Sequence, residues 1–335
     1  MSAPVTLESQ DVAAALRTTL QDVSGPAARL GSWTATLVTT HGRRRVVRYG
    51  LEAHLPGHSD PQRLDWVGKF YDGDVEARRV ADILVSLAGS EGSRRGAFVV
   101  PTLLGYHAPR YLVLMTYETG EPVTPAIARA GGVVLDAIGR ALAALHAASP
   151  PVALPAVTTP AVVLEHVRPR VTAMGERVPE AGGVVQGAFG RLEGAAPVAP
   201  RAAAFLHGDF GPAQLLWRGD RVVIFDFDRA TRGDPALDLG NLLTQLHRSA
   251  LRKPGRLGDF ATLRATLIDA YQRHAGRDPG LADRVGWYEL ATMLRKIYSL
   301  FFDTTRHPEP AALERRRAEA VRLLEELDVV GLPAQ

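Results

Sequence analysis

Residues 206–240 read LHGDFGPAQLLWRGDRVVIFDFDRATRGDPALDLG, and this segment holds most of the chemical information in the chain. Five of its six aspartates fall in three groups along the sequence: Asp209; Asp226 with Asp228; and Asp234 with Asp238. The apolar runs between the first two groups predict a β-hairpin with those groups on either side of it. One carboxylate can then meet a substrate hydroxyl while another holds a metal ion, an arrangement that suits phosphoryl transfer from a nucleotide.

The first carboxylate, Asp209, is the candidate that accepts or orients the proton of an acceptor hydroxyl. The alternative is an aspartate that stabilises a turn or caps a helix. Gln214 follows five residues later, and its amide oxygen is a candidate ligand for a second magnesium ion. The alternative for Gln214 is a surface side chain at the start of a strand.

Asp226 ends the apolar strand 222–225, where its carboxylate is a hard oxygen ligand of the kind that Mg²⁺ prefers. Strand alternation predicts that Asp228 points the same way and supports the metal; the alternative for both is a charged strand edge. Asp234 and Asp238 follow a glycine at the start of a predicted helix, which indicates helix capping and a structural role.

Composition fits a globular enzyme. The chain has 335 residues with 46% hydrophobic and 22% charged content, which allows two lobes and a core of normal size. It contains no cysteine, so disulfides and thiolate metal sites are excluded. No long uninterrupted apolar run and no secretory pattern at the N-terminus are visible, so we expect no membrane partner and a cytoplasmic location.

The positive charge does not indicate a nucleic-acid surface. Net charge is +3, and the short basic runs 43–45 and 315–317 lack interleaved aromatic residues, so we expect solvated faces and no nucleic-acid partner. Only three of the 39 basic residues are lysines. One of them, Lys69, lies on a predicted strand between apolar neighbours, where a charge needs a partner. A nucleotide phosphate and Glu76 would serve; the alternative is a lysine that faces outward.

Periodicity predicts strands first and helices later, and therefore an α+β, bilobal architecture. An N-terminal nucleotide-binding lobe is expected over residues 1–116 and a helical C-terminal lobe over residues 117–335. The predicted helices cover residues 7–22, 75–87, 126–148, 165–177, 183–192, 238–248, 260–274, 281–302 and 311–327. The predicted strands cover residues 33–40, 45–55, 64–71, 98–100 and 111–117.

Together these motifs resemble the aminoglycoside phosphotransferase family, within the protein-kinase-like fold, from about residue 45 to about residue 302. The catalytic loop of that family is similar to HGDFGPAQLL, and its metal-binding segment to IFDFDRATRGDPALDLG. Its nucleotide-lysine strand is similar to VGKFY, its hinge to YLVLMTYETGEPV, and the helix after the hinge to IGRALAALH.

The resemblance implies a role for each matching residue. Asp209 would be the catalytic base, Gln214 and Asp226 the magnesium ligands, and Lys69, paired with Glu76, the phosphate-binding lysine. The backbone of residues 115–118, including Met115 and Tyr117, would meet adenine. Structural support would come from residues around the catalytic loop: His146, His207, Asp234 and Asp238.

The chain departs from the family pattern in three places. Gln214 stands where Asn is usual, Lys69 and Glu76 are only seven residues apart, and no G-x-G-x-x-G motif precedes Lys69. We therefore expect a plain hairpin at residues 39–45, with Gly42 at its tip, to cover the phosphates.

The sequence thus predicts a Mg²⁺-assisted phosphotransferase that uses ATP, or GTP as the alternative, and acts on a hydroxyl of a small molecule. The acidic candidates for an acceptor site in the helical half, Glu165, Glu289 and Asp303, have basic residues beside them: Arg168, Arg170, Arg295 and Lys296. This favours a neutral or anionic acceptor over a polycation. The alternative is a nucleotide-binding pseudokinase with a regulatory or scaffolding role. Protein phosphorylation is less favoured because no activation segment separates Asp228 from Asp234. Oligomeric state is not predicted.

Overall fold

The computed structural model describes residues 10–41, 44–155, 157–198, 203–303 and 309–327. These residues divide into two compact units. The first unit holds the described residues up to Arg94 together with residues 99–119 and 150–153. The second unit holds residues 95–98 and 120–149 and the described residues from 154 onward. An antiparallel sheet in the N-terminal part and helices in the C-terminal part confirm the predicted α+β class.

The first unit is built around one antiparallel sheet with strand order β1-β2-β3-β6-β5. The elements of this part of the chain are α1 (Gln10–Ser24), β1 (Arg29–His41), β2 (Arg44–His54), β3 (Gln62–Phe70), α2 (Asp74–Ala88), α3 (Glu91–Arg94), β4 (Phe98–Val99), β5 (Leu103–His107) and β6 (Leu112–Thr116). Alternate residues of β2 are buried, as expected for a strand with one face on a core. Leu16 and Leu20 of α1 pack into that core with Tyr49 and Leu114.

The second unit is mainly helical. Its elements are β7 (Glu121–Pro122), α4 (Val123–Ala147), α5 (Pro160–Arg177), α6 (Pro179–Gly194), β8 (Ala204–Leu206), β9 (Leu215–Trp217), β10 (Val222–Ile224), β11 (Thr231–Gly233), α7 (Ala236–Arg252), α8 (Phe260–Ala275), α9 (Leu281–Phe302) and α10 (Pro310–Glu325). Helix α4 packs on α8, α7 on α9, and α5 on both α6 and α9.

Helix α4 is long and apolar enough to cross a membrane by length and composition alone. More than half of its most apolar window is buried inside the protein, and its backbone leaves the helical region at Ala130 and Gly131. Farther along, Gly139 lies so close to α8 that a Cβ there would be 2.7 Å from the backbone of Ala270. These are the features of a core helix.

The short helix α3 and the strands β5, β7, β8 and β11 were not predicted from the sequence. Strand β5 was missed because it is short, contains Gly105 and shows no alternation of burial. Strands β8 and β11 were missed because each has only three residues and they pair across a long stretch of chain, with Leu206 opposite Thr231. The pairing of β8 with β11 matters for the site, because it brings together both ends of the segment 206–231.

Candidate active site

The predicted hairpin is formed by β9 and β10, with Leu215 opposite Ile224 and Trp217 opposite Val222. Together with the β8–β11 pair, it brings the loop after β8 beside the loop after β10. The Phe225 N–H donates to the Gln214 carbonyl at 3.2 Å. The two loops that carry Asp209 and Asp226 are therefore joined by backbone hydrogen bonding.

His207 forms a second link between these loops. Its side chain is fully buried, and its Nε2 donates to the Phe225 carbonyl at 3.0 Å. Its Nδ1 accepts from the Asp209 N–H at 3.4 Å, so the ring proton lies on Nε2. The rings of Phe210 and Phe227 pack on the imidazole, with centroid distances of 5.6 and 5.0 Å. His207 thus fixes the backbone immediately before Asp209.

Asp238 holds the same loop from the side of helix α7. Its carboxylate accepts from the backbone N–H groups of His207 at 2.7 Å and Gly208 at 2.9 Å. His146 Nε2 lies 3.3 Å from the carboxylate, and His146 Nδ1 lies 2.9 Å from the Tyr271 hydroxyl. The Asp238 side chain is completely buried, so these donors offset the cost of removing its charge from water. Asp238 therefore braces the catalytic loop, a structural role as predicted, and does not act by capping its own helix.

Gly208 is held at both of its backbone polar groups. Its N–H binds Asp238, and its carbonyl accepts from Asn241 Nδ2 at 3.4 Å. The Thr292 hydroxyl on α9 donates to the Asn241 amide oxygen at 2.7 Å. Gly208 has φ +81°, and a Cβ there would lie 2.0 Å from the Arg229 carbonyl oxygen, so only glycine fits. Asn241 and Thr292 were missed by sequence reasoning; a buried Asn on α7 is the signal that could have indicated them.

The carboxylate of Asp209 follows this fixed segment and is partly exposed. Asp226 is exposed at the end of β10, with a left-handed backbone at φ 73° and ψ 58°. Aspartate tolerates this conformation better than most residues. Residues 227–229 form a 3₁₀ turn, which corrects the strand alternation used to orient Asp228. Asp228 is partly exposed.

Gln214 closes the 3₁₀ turn Pro212–Gln214. Its Oε1 is buried and has no hydrogen-bond partner among the described residues. An unsatisfied buried oxygen costs about 1–3 kcal/mol unless another ligand satisfies it. An amide oxygen and a carboxylate oxygen are both ligands that suit Mg²⁺. The donor set therefore fits the ion that the sequence implies.

Across the described part of the chain, no group of three or more His, Cys, Asp or Glu side chains is placed to hold a metal ion. Magnesium commonly takes only one or two carboxylates from a protein, and substrate phosphates and water complete its octahedron. A site of Asp226 and Gln214 has this composition.

Asp234 has a different role from the loop carboxylates. It is buried, accepts from the Ala236 N–H at 3.0 Å at the start of α7, and accepts from Arg284 Nε at 2.7 Å. Arg284 also binds Asp278 at 2.6 Å. The hydrogen bond to Asp278 has the largest effect in raising the pKa of the Arg284 guanidinium, and the bond to Asp234 adds to it. Asp234 therefore anchors α7, the helix that carries Asp238.

In the first unit, Lys69 is buried on β3, and its Nζ lies 5.5 Å from the centre of the Tyr71 ring. The pairing of Lys69 with Glu76 stays a prediction, because Glu76 is bound by two arginines. Glu76 Oε2 accepts from Arg44 at 2.7 Å, and Glu76 Oε1 lies 3.8 Å from Arg79. The reason is geometric: β2 lies beside β3, so Arg44 at its start reaches the first turn of α2.

The predicted hinge begins on β6. Met115 is buried and pairs with Val67 of β3. The Tyr117 N–H donates to the Asp65 carbonyl at 3.1 Å, and the guanidinium of Arg48 lies 4.2 Å from the centre of the Tyr117 ring. The amide hydrogen of Tyr117 is thus already used within the unit. Gly42, the predicted tip of the phosphate-covering hairpin, lies outside the described residues.

The antiparallel sheet, the helical region and the braced Asp209 loop define a kinase-like phosphotransferase fold. The sequence model of the phosphotransferase enzyme family APH matches residues 57–287, more than two thirds of the chain. The protein therefore belongs to this phosphotransferase family, as the motifs predicted.

Solved structures agree with this assignment. The macrolide 2'-phosphotransferase MphH from Brachybacterium faecium is 18% identical with a TM-score of 0.56, over 91% of this chain and 97% of that chain. The aminoglycoside phosphotransferase APH(4)-Ia, in a ternary complex with ADP and hygromycin B, is 14% identical with a TM-score of 0.58, over 93% and 98%. A choline/ethanolamine kinase family protein from Mesorhizobium loti is 19% identical with a TM-score of 0.54, over 93% and 95%. At these identities the likeness shows the fold alone. No curated protein matches the chain in sequence.

Proposed function

We propose that this protein transfers the γ-phosphoryl group of ATP to a hydroxyl group of a small molecule. The observation that carries the proposal is the support of Asp209. His207 and Gly208, the two residues before it, are fixed by the buried carboxylate of Asp238 through bonds of 2.7 and 2.9 Å. Phosphoryl transfer depends on positioning more than on covalent chemistry, and a rigid loop that presents one accessible carboxylate serves that need.

Asp209 would orient the acceptor hydroxyl and accept its proton as the oxygen attacks the γ-phosphorus. Asp226 and Gln214 would hold Mg²⁺, which neutralises charge on the phosphate oxygens when it is bound. The buried and unpartnered Oε1 of Gln214 supports its part of this assignment. Its side chain is one methylene longer than that of the usual Asn, and Gln214 ends the 3₁₀ turn Pro212–Gln214 directly before β9.

In the first unit, Lys69 is proposed to bind a nucleotide phosphate. Its place on β3 supports the proposal, because arginine is otherwise the preferred cation of this chain and only three of its 39 basic residues are lysines. Glu76 is proposed to contribute indirectly, since it holds Arg44 and Arg79 at the start of α2. Adenine would meet backbone groups of residues 115–118 other than the Tyr117 N–H, which Asp65 already occupies.

ATP is the proposed donor because structural neighbours include complexes with ADP and AMP-PNP. GTP remains the alternative donor. Structural neighbours include macrolide and aminoglycoside phosphotransferases and a choline/ethanolamine kinase family protein, which supports a hydroxylated small molecule as the acceptor class. We propose a cytoplasmic location, where ATP is available, and no membrane or nucleic-acid partner.

The second candidate is a nucleotide-binding pseudokinase. Gln214 in place of Asn and the missing G-x-G-x-x-G motif favour it. The presence of Asp209, Asp226 and Lys69 argues for the enzyme.

The test is transfer of label from γ-labelled ATP to a panel of hydroxylated acceptors, with Mg²⁺ and then with EDTA. The enzyme hypothesis predicts labelled product that depends on Mg²⁺ and is lost in Asp226→Ala. Asp220→Ala is the matched control, because Asp220 is an exposed aspartate of the same segment that pairs only locally with Arg221. Mg²⁺-dependent ATP binding without transfer to any acceptor would instead support the pseudokinase.

A further inference from the structure

We propose that the acceptor is anionic, and that a carboxylate or phosphate group on it is bound by Arg170, Arg229 and Arg295 beside Asp209. The proposal rests on the proposed phosphotransferase function and specifies its substrate class. The three arginines come from separate elements of the second unit: α5, the 3₁₀ turn after β10, and α9. We call them the arginine cluster.

Arg295 is placed near the catalytic loop by a chain of contacts from α9. Thr292 donates to Asn241 at 2.7 Å. Asn241 in turn donates, at 3.4 Å, to the carbonyl of Gly208, which is the residue before Asp209. Arg295 follows Thr292 by three residues, so both side chains lie on one face of α9. The guanidinium therefore projects from the helical face that meets the loop, one turn beyond Thr292.

Arg229 approaches the same loop from the other side. A Cβ added to Gly208 would lie 2.0 Å from the carbonyl oxygen of Arg229 and 3.4 Å from the Cβ of Arg229. The backbone of Arg229 thus touches the residue that precedes Asp209. Its side chain is exposed, so the guanidinium can reach a bound molecule.

Arg170 joins the cluster across the α5–α9 contact. Its guanidinium carbon lies 5.7 Å from the centre of the Tyr298 ring, and Tyr298 follows Arg295 by three residues on α9. Arg170 donates one hydrogen bond to the His166 carbonyl, which leaves further donors on the planar fork.

The electrostatics agree with this placement. Burial lowers the pKa of Arg295. The nearby negative charge of Asp209 raises this pKa, whereas the positive charges of Arg170 and Arg229 lower it further. Arginine stays protonated in proteins, so the like charges repel and the cluster has a surplus of positive charge. A bound anion would remove that repulsion.

The positive charge of the arginine cluster is not neutralised by close ion pairs of Arg229 and Arg295 with other described residues. Within the described ranges, the side chains of Arg229 and Arg295 form no hydrogen bond or ion pair. Glu289, which a cationic acceptor could have used, is buried and bonds to Arg264 at 2.8 Å instead. The face beside Asp209 therefore favours an anion over a polycation.

The experiment compares acceptors that share a sugar ring and differ in charge: glucose, glucosamine and glucose 6-phosphate, with glycerate and glycerol as a carboxylate pair. In wild-type protein, kcat/KM should be highest for the anionic member of each set. In Arg295→Gln and Arg229→Gln, it should fall by about 10- to 100-fold for anionic acceptors only, which is the loss expected for hydrogen bonds to a charged group. The KM for ATP should stay within about twofold.

Arg177→Gln is the matched control, because Arg177 lies seven residues beyond Arg170 on α5 and likewise packs on an aromatic ring, that of Phe302, at 4.2 Å. Arg229 is exposed, so its variant tests the proposal even if Arg295→Gln fails to fold. Highest kcat/KM for a neutral or cationic acceptor would overturn the proposal. So would unchanged use of anions in the variants, or a rise in the KM for ATP alone, since the arginines would then serve the nucleotide.

Anion binding separates this proposal from the proposed function. Titration calorimetry with glucose 6-phosphate and with glycerate should detect binding to wild-type protein and at least tenfold weaker binding to Arg295→Gln. If no acceptor is phosphorylated but this binding pattern holds, the phosphotransferase activity fails and the anion site stands. If transfer occurs and neither anion binds, the anion site fails and the activity stands.

Discussion

Replacement of Asp238 by alanine should show how much the catalytic loop depends on one buried carboxylate. The change removes the acceptor for the backbone N–H groups of His207 and Gly208, at 2.7 and 2.9 Å. Each donor left unsatisfied in the interior costs about 1–3 kcal/mol, so the free energy of unfolding should fall by about 2–6 kcal/mol. His146 would also lose a partner at 3.3 Å, which places the expected loss above the lower end of that range.

The assay is urea unfolding of wild type, Asp238→Ala and Asp238→Asn, with Asp220→Ala as the control. Asparagine keeps one acceptor oxygen, so Asp238→Asn should lie between wild type and alanine. The control removes an exposed carboxylate and should change stability by less than about 0.5 kcal/mol. If Asp238→Ala is as stable as Asp220→Ala, the carboxylate does not brace the loop and the argument for the position of Asp209 is lost.

Other substitutions test single features of the site and its surroundings. Gly208→Ala should lower the free energy of unfolding by about 1–3 kcal/mol because of the left-handed backbone alone, and by more because of the contact with Arg229. Turnover and the thermal midpoint should both fall. An unchanged midpoint would refute the claim that only glycine fits at position 208. Tyr288→Phe should leave the urea midpoint unchanged or raise stability by about 1 kcal/mol, because the Tyr288 hydroxyl is buried without a partner among the described residues; a clear loss would reveal a bond that the argument lacks. Burial raises the pKa of Glu289 from 4.5 to about 7, although Arg264 opposes this effect. Between these two pH values the native state binds more protons than the unfolded state, so the free energy of unfolding should fall as the pH rises. Glu289→Gln should flatten this fall, on the order of 3 kcal/mol between pH 4.5 and 7; equal slopes would contradict the raised pKa.

The helices could be predicted largely from the sequence, because apolar residues at helical spacing mark them directly. Helix α9 has the predicted bounds, 281–302, and α8 extends only one residue beyond its predicted end at 274. The hairpin of β9 and β10 was equally visible, since two short apolar runs flank a Gly-Asp turn. Strands β8 and β11 carry no such signal, because each pairs with a partner far along the chain rather than across a short turn.

The candidate site divides in the same way. Asp209, Gln214 and Asp226 lie close in sequence, so their spacing already indicated a common role. The residues that support the loop lie far away in the sequence. Asn241 and Thr292 reach Gly208 only because α7 and α9 pack on the loop. The pairing of Glu76 with Arg44 depends on the register between β2 and β3, which the local sequence does not encode.

The arginine cluster shows the same limit from the side of substrate recognition. Arg170 and Arg295 drew attention in the sequence only as basic neighbours of acidic residues. Their convergence with Arg229 follows from three separate elements meeting beside one loop. The reaction class is therefore readable from a short local motif, whereas substrate charge depends on tertiary packing.

The most direct test of the central claim is the turnover of Asp209→Asn with ATP, Mg²⁺ and the best acceptor found. Loss of the proton acceptor should lower kcat by about 10²–10⁴-fold. The dissociation constant for ATP with Mg²⁺ should stay within about twofold of wild type, because Asp226, Gln214 and Lys69 are unchanged. A kcat within tenfold of wild type would contradict the assignment of Asp209 as the catalytic base.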